Sequence, residues 1–330
     1  MSEAPSGDGQ ESKTISGSIR VGVVGLGDMG AGIAKAVLRS FPLTVFDLRQ
    51  KAVEQLVALG ADGAASIEEL ADRCDAVIVV VVNDKQVEQV VRQILAHPGA
   101  VRSIIVSSTV QPATVTGLEA EAGKAGIEVI DAPVSGGAEK AAAGIITILI
   151  GGSDHAVERC RPILKAFGGT LFHLGPAGAG SAGKLITNML SLGGYMLQLE
   201  VMQFAAAHGI SEDAATEFLP TTTADSRGLR TWGRFDRMRQ THTLAGTEGM
   251  YDIFSKDMKL AAAAAGRRGL VLPIVSAVSA MIVEKARARD RYLAARGETA
   301  PIPRCPVCTF ELASPFREAG VHPECAGQPG

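Results

Sequence analysis

GPAGAGSAGKLITNMLSLGGYMLQLEVMQFAAAHG, residues 175–209, decides how the rest of the chain is read. A glycine-rich turn at Gly175, Gly178, Gly180 and Gly183 runs into roughly thirty residues of helical character, at 1.5 Å each enough to cross a small domain. Between Lys184 and Glu200 no side chain carries a full charge, so the helix is covered on most sides and can serve as a spine joining two domains. Lys184 and Asn188 are four apart and share one of its faces. A lysine in a first turn opposes the helix dipole and is costly to bury. It either reaches solvent or serves as a proton-transfer group at the floor of a cleft, and the helix alone does not decide which.

The totals set the frame around that helix. A length of 330 residues favours about two domains, and 46% apolar with 20% charged residues is ordinary for a soluble globular chain. The net charge of −3 gives no sign of a nucleic-acid or acidic-lipid partner. Residues 1–17 are small and polar, neither signal peptide nor anchor, and read as a disordered tail. The longest uncharged apolar-rich run, Leu185–Leu199, has 15 residues with Asn, Ser and Gly among them, too short and too polar to span a bilayer. These features point to the cytoplasm. Five cysteines agree with it: Cys74 and Cys160 read as buried thiols, and the other three crowd the last 26 residues.

Upstream, the β-branched run of residues 19–24 (IRVGVV) ends in GLGDMG, and Gly25-x-Gly27-x-x-Gly30 then opens a helical segment, Met29–Arg39. In this strand–turn–helix setting the three glycines fit a dinucleotide turn: one for the tight bend, one for approach of a pyrophosphate, one for close packing of helix on strand. The first turn of the helix, with Leu26, Asp28 and Met29 around it, would offer free N–H groups to the phosphates. A second strand, Leu43–Phe46, ends at Asp47, 22 residues after Gly25. A carboxylate there is expected to grip the ribose hydroxyls of NAD and repel the 2′-phosphate of NADP; Arg49 could soften that preference.

The alternation continues through a capped helix at Ser66–Cys74, an apolar strand at Ala76–Val82, a helix at Asp84–Leu95, a strand at Ser103–Ser107, a helix entered at Pro112 and a strand at Glu128–Ile130. Strands and helices alternating at this spacing make an α/β fold with a doubly wound sheet, whose ligands lie beyond the carboxyl ends of the strands. Val82-Asn83, Ser108-Thr109 and Asp131-Ala132 fall at such ends; Asn83 equally suits a bare helix cap. Residues 131–144, DAPVSGGAEKAAAG, follow. There Ser135-Gly136-Gly137 offers a hydroxyl and two unobstructed N–H groups, a cradle for a carboxylate or simply a tight structural turn. Downstream of Ser181 only helices are expected, near Ser211–Phe218, Ile253–Arg267 and Pro273–Arg296, with several arginines in 222–240 near a cleft mouth. His173 reads as structural, and nothing resembles a hydrolase elbow.

Four motifs in one order, GLGDMG (25–30), DAPVSGGAEKAAAG (131–144), GPAGAGSAGKLITN (175–188) and FSKDMKLA (254–261), resemble the β-hydroxyacid dehydrogenase family, which includes 3-hydroxyisobutyrate dehydrogenase, tartronate semialdehyde reductase and threonate dehydrogenase. The resemblance covers about residues 19–297. It implies an N-terminal Rossmann domain, a long interdomain helix and an all-helical second domain in the manner of 6-phosphogluconate dehydrogenase. The boundaries then fall at 18–180 and 181–297, in a homodimer or homotetramer joined through the helical domain. Position by position, Lys184 matches the family's catalytic lysine, Asn188 its substrate-contacting neighbour, and Ser135, Gly136 and Gly137 its substrate loop. Thr109 matches the hydroxyl beside the nicotinamide, and Lys256 the lysine sent back over the cofactor. Val81-Val82, beside Asn83 in the cofactor loop, stands where the family usually has Leu-Pro.

The resemblance therefore implies an NAD-dependent enzyme, NAD favoured over NADP, that oxidises the hydroxyl of a small β-hydroxy acid with Lys184 as general acid/base. An NADPH-linked semialdehyde reductase is the alternative of the same fold. A binding module is the alternative of another class, and it would use residues 298–330, which lie outside the family pattern. In that tail Cys305-x2-Cys308, thirteen residues, then His322-x2-Cys325 has the ligand set and reach of a structural zinc knuckle.

Overall fold

In a computed structural model that describes residues 19–244 and 250–296, the β-branched runs and one short segment, Asp62–Gly63, form six parallel strands. They are β1 (Val21–Val24), β2 (Leu43–Phe46), β3 (Asp62–Gly63), β4 (Ala76–Val79), β5 (Ser103–Val106) and β6 (Glu128–Asp131), side by side as β3-β2-β1-β4-β5-β6. β1, β4 and β5 are buried at every residue, as a parallel sheet covered on both faces requires. The covers are α1 (Asp28–Val37), α2 (Gln50–Val57), α3 (Ile67–Arg73), α4 (Asp84–Ala96) and α5 (Pro112–Gly123). The Ser66 hydroxyl caps α3 by accepting from Glu69 N–H at 3.1 Å, and the Glu69 carboxylate accepts in return from Ala65 N–H at 2.7 Å. Cys74 and Cys160 are buried free thiols, which burial pushes up to about 11 and about 12.

The parallel pattern breaks after β6. β7 (Val134–Ser135), α6 (Ala138–Ala143) and β8 (Ile146–Gly151) follow, and β8 runs antiparallel to both β6 and β7. Ten residues separate Ser135 from Ile146, fewer than a parallel crossover needs. α7 (Asp154–Phe167) then returns the chain to β9 (Gly168–Gly175), which pairs parallel with β8.

The spine is α8 (Ala179–Ala207), 29 residues or roughly 43 Å of helix. Its first turn rests on the sheet. The buried Asp131 carboxylate, at the end of β6, accepts from Gly178 N–H at 2.8 Å and from Ser181 N–H, so β6 supplies the cap for the helix's unpaired donors. Asp131 is therefore turned into the fold rather than toward a ligand. Burial raises its pKa, against the pull of these N–H donors. Lys184 is the sixth residue of α8, in the second turn rather than the first.

Beyond the sheet α8 packs with α9 (Glu212–Phe218), α10 (Arg227–Arg230), α11 (Arg234–Leu244), α12 (Met250–Arg267) and α13 (Pro273–Arg296) around a second core that includes Leu192, Tyr195, Met196, Phe254, Met258 and Ile282. Among the described residues this half is helical, with one short 3-10 turn at Leu219–Thr221. None of the described helices is long and apolar enough to cross a membrane.

Candidate functional site

The glycine turn sits between β1 and α1. Gly25 has φ +92°, and a Cβ on Gly30 would stand 1.9 Å from the Gly25 carbonyl oxygen, so helix and strand close together only because both residues lack one. A Cβ on Gly27 would meet nothing within 4 Å. That open space lies over the first turn of α1 and fits a pyrophosphate on its N–H groups. Asp28 is exposed there, while Leu26 is buried and Met29 half-buried against the core.

Asp47 lies just past β2. Its carboxylate accepts from Leu26 N–H at 2.6 Å, from Arg49 N–H at 2.8 Å and from the Arg49 side chain at 3.1 Å. Burial works against its charge, but the Arg49 side chain and the two backbone donors outweigh burial and hold its pKa below the usual carboxylate value.

Beyond β4 and β5, the Lys256 amine of α12 donates to the Val82 carbonyl at 2.8 Å and the Thr109 carbonyl at 3.2 Å. Helical and sheet halves thus meet at the two strand ends picked out in the sequence. Val81 N–H donates to Ser108 Oγ at 2.8 Å, fixing the turn. Asn83 caps α4 by accepting from Gln86 N–H at 3.0 Å, the plainer of its two readings.

Lys184 and Asn188 lie on the face of α8 that meets α12. Asn188 Nδ2 donates to Asp257 Oδ2 at 2.7 Å, and Asp257 Oδ1 pairs with the Lys256 amine at 3.3 Å. Lys184 as a whole is half-buried. Its pKa is nevertheless lowered, first by desolvation of the amine, with the charges of Lys256 and Arg234 adding and that of Asp257 opposing. Asp257 is buried and its pKa raised for the same reason, with Lys256 and Lys184 pulling the other way. Asp257 is the residue the sequence reading missed. Its signal was positional: Phe254, Asp257, Met258 and Ala261 form the buried stripe of α12, and a carboxylate on an apolar stripe needs a partner.

The Ser135-Gly136-Gly137 loop ends β7 and precedes α6. It is joined from the helical half by Arg234, whose Nη2 donates to the Gly136 carbonyl at 3.3 Å. Residues 222–240 had suggested an arginine at the cleft mouth without saying which. Cys305, Cys308, His322 and Cys325 lie outside the described residues. Among the described residues no group of three or more His, Cys, Asp or Glu side chains could hold a metal ion.

Comparison with known proteins agrees with this layout. Residues 20–175 match the family model for the NAD-binding domain of 6-phosphogluconate dehydrogenase, and residues 178–303 the model for the NAD-binding region of NADP-dependent 3-hydroxyisobutyrate dehydrogenase. The chain is 32% identical to NAD-dependent L-serine dehydrogenase of Pseudomonas aeruginosa, over 74% of this chain and 85% of that one. It is 34% identical to L-threonate dehydrogenase of Escherichia coli, over 81% and 89%. A solved 3-hydroxyisobutyrate dehydrogenase from Salmonella typhimurium superposes with a TM-score of 0.67 at 32% identity, covering 82% of this chain and 95% of that one.

Proposed function

The chain belongs to the β-hydroxyacid dehydrogenase family, NAD(P)-dependent oxidoreductases acting on CH–OH groups, and from that premise we propose that it oxidises the hydroxyl of a small β-hydroxy acid with Lys184 as general acid/base. The observation that carries this reading is the Lys184 amine, desolvated beside the Asn188–Asp257–Lys256 chain. A base must be partly deprotonated near neutrality, and burial of the amine moves Lys184 in that direction. Lys184 takes the hydroxyl proton during oxidation and returns it during reduction. Asn188 and Asp257 hold the site in register, and the Ser135-Gly136-Gly137 loop receives the carboxylate.

The cofactor-binding role falls to residues 25–30, Asp47, Val81, Val82, Asn83, Thr109 and Lys256. Bound dinucleotide supplies the hydride acceptor. Asp47, beside the glycine turn, favours NAD; its partial neutralisation by Arg49 at 3.1 Å is the feature that favours an NADPH-linked reductase as the second reading. L-Serine and L-threonate, named in the relatives, are both small acids with a hydroxyl on the carbon β to the carboxylate. We include them with 3-hydroxyisobutyrate as test substrates.

The exposed face of α8 supports a homo-oligomer built on the helical half. Ile186, Leu190, Leu197 and Phe204 recur at spacings of four and seven and are between 62% and 79% exposed. A large exposed apolar patch suits association, and a second copy of the same helix offers the matching surface.

Lys184→Ala tests the central role. Turnover is expected to fall by about 10²–10⁴-fold with NAD affinity by calorimetry unchanged. Near wild-type turnover in that variant refutes the assignment.

A further inference from the structure

Arg234 touches the substrate loop from behind. Its Nη2 donates to the Gly136 carbonyl at 3.3 Å and stands 3.7 Å from where a Cβ on Gly137 would be. In a planar trans peptide the carbonyl and the following N–H point to opposite sides. A donor holding Gly136 O therefore turns Gly137 N–H away from the guanidinium. Gly136 and Gly137 have φ +149° and +97°, conformations open to glycine and strained for other residues. Two adjacent glycines let the peptide between them rotate with little steric resistance. Turned over, it would present a carbonyl oxygen, an acceptor with no proton to give, where the N–H had been.

The seat of Arg234 is firm. Two residues along α11, Asp236 is buried; it accepts from Tyr195 of α8 at 2.7 Å and from Arg289 of α13 at 3.1 Å. The neighbouring Phe235 ring packs on Tyr195 with centroids 4.9 Å apart. These contacts tie the start of α11, from which Arg234 reaches across, to both α8 and α13.

We propose that Arg234 is a positioning residue: by holding the Gly136 carbonyl it keeps the Gly136–Gly137 peptide in the one orientation that offers an N–H to the substrate carboxylate, and so selects hydroxy acids over their uncharged analogues. This rests on the reading of Ser135-Gly136-Gly137 as the carboxylate site.

The test compares wild type with Arg234→Ala and Arg234→Lys on L-serine, L-threonate and 3-hydroxyisobutyrate and on the primary amide of each. Arg234→Ala is expected to raise KM for the acid about 10-fold, the effect of one hydrogen bond, with kcat within about threefold and KM for the amide unchanged or lower. Lysine, which keeps a donor, restores part of the acid KM. NAD affinity, measured by calorimetry, is the same in all three proteins. A crystal structure of Arg234→Ala is expected to show the Gly136 carbonyl turned or in two orientations. An unchanged acid-to-amide ratio in Arg234→Ala overturns the proposal, and so does a changed ratio with the peptide unmoved, which makes Arg234 a direct counter-charge instead. Wild-type enzyme indifferent to the acid-to-amide change overturns the carboxylate-site reading itself, and this proposal with it.

Discussion

Asp257→Asn removes a charge while keeping an oxygen for Asn188 to bond, now at 2.7 Å from Asp257 Oδ2. Lys184 and Asn188 are a helical turn apart on one face of α8, and the Asp257 carboxylate bound by Asn188 is the charge that opposes the lowering of the Lys184 pKa. For two unit charges roughly 6 Å apart at an effective dielectric of about 20, such an attraction is on the order of 3 kcal/mol. Lys256 shares the carboxylate at 3.3 Å and solvent reaches part of Lys184, so the substitution removes only part of that attraction. The sign is unambiguous. Asp257 opposes the lowering of the Lys184 pKa; without it the amine deprotonates at lower pH, and Lys256, no longer offset, pushes the same way. Oxidation needs the neutral amine, so the acid limb of the kcat/KM profile should move toward lower pH, with a reduced plateau because the base is weaker. The assay is NADH formation from the preferred hydroxy acid between pH 5 and 10, with circular dichroism to establish that the variant is folded. A limb that stays in place, or moves to higher pH, refutes the coupling of Asp257 to Lys184.

Other parts of the structure carry their own expectations. Asp47→Asn should lower the ratio of the NADP to the NAD dissociation constant about 10-fold, or about 1.4 kcal/mol, by isothermal titration; an unmoved ratio removes Asp47 from cofactor choice. Asp131→Ala strands Gly178 and Ser181 N–H groups, now held by its carboxylate, and at about 1–3 kcal/mol per buried unpaired group should cost about 3 kcal/mol in urea unfolding. A loss under about 1 kcal/mol would show that the cap is dispensable. Leu190→Asp puts a charge on the exposed face of α8 and should shift sedimentation toward the monomer; an identical mass distribution argues against that face as the contact.

What could be read in advance follows from range in sequence. The glycine turn, the capping box at Ser66 and Glu69 and the apolar strands declare themselves locally, because turn chemistry, caps and burial act over a few residues. The long helix was legible from its want of charge. The reversal at β8 went unread, although the ten residues after Ser135 are too few for a parallel crossover: the length bears on direction only once 134–135 and 146–151 are known to be neighbouring strands. α2 escaped notice for a different reason: it buries Val53 and Leu56 alone, too short a stripe to stand out. At the site, Lys184 and Asn188 are neighbours on one helix and could be paired from spacing. Asp257 lies 69 residues beyond Asn188 and Arg234 98 beyond Gly136. Both depend on how helices dock, which no local pattern encodes. The role of Asp131 was hidden for the same reason: its place at a strand end says nothing of the helix start found against it.

The shared joint at Asp131 bears on any attempt to exchange the two halves between relatives. The lysine and the helix start that orients it belong to the same rod, yet the group finishing that start comes from the sheet, 53 positions before Lys184. A chimera cut within 176–184 would pair one parent's residue 131 with another parent's helix start, and the joint survives only where the first supplies a carboxylate and the second the same left-handed turn at 178. The workable splice lies past Ala207, so that a transplanted helical module takes its selectivity with it while the proton carrier remains with the host.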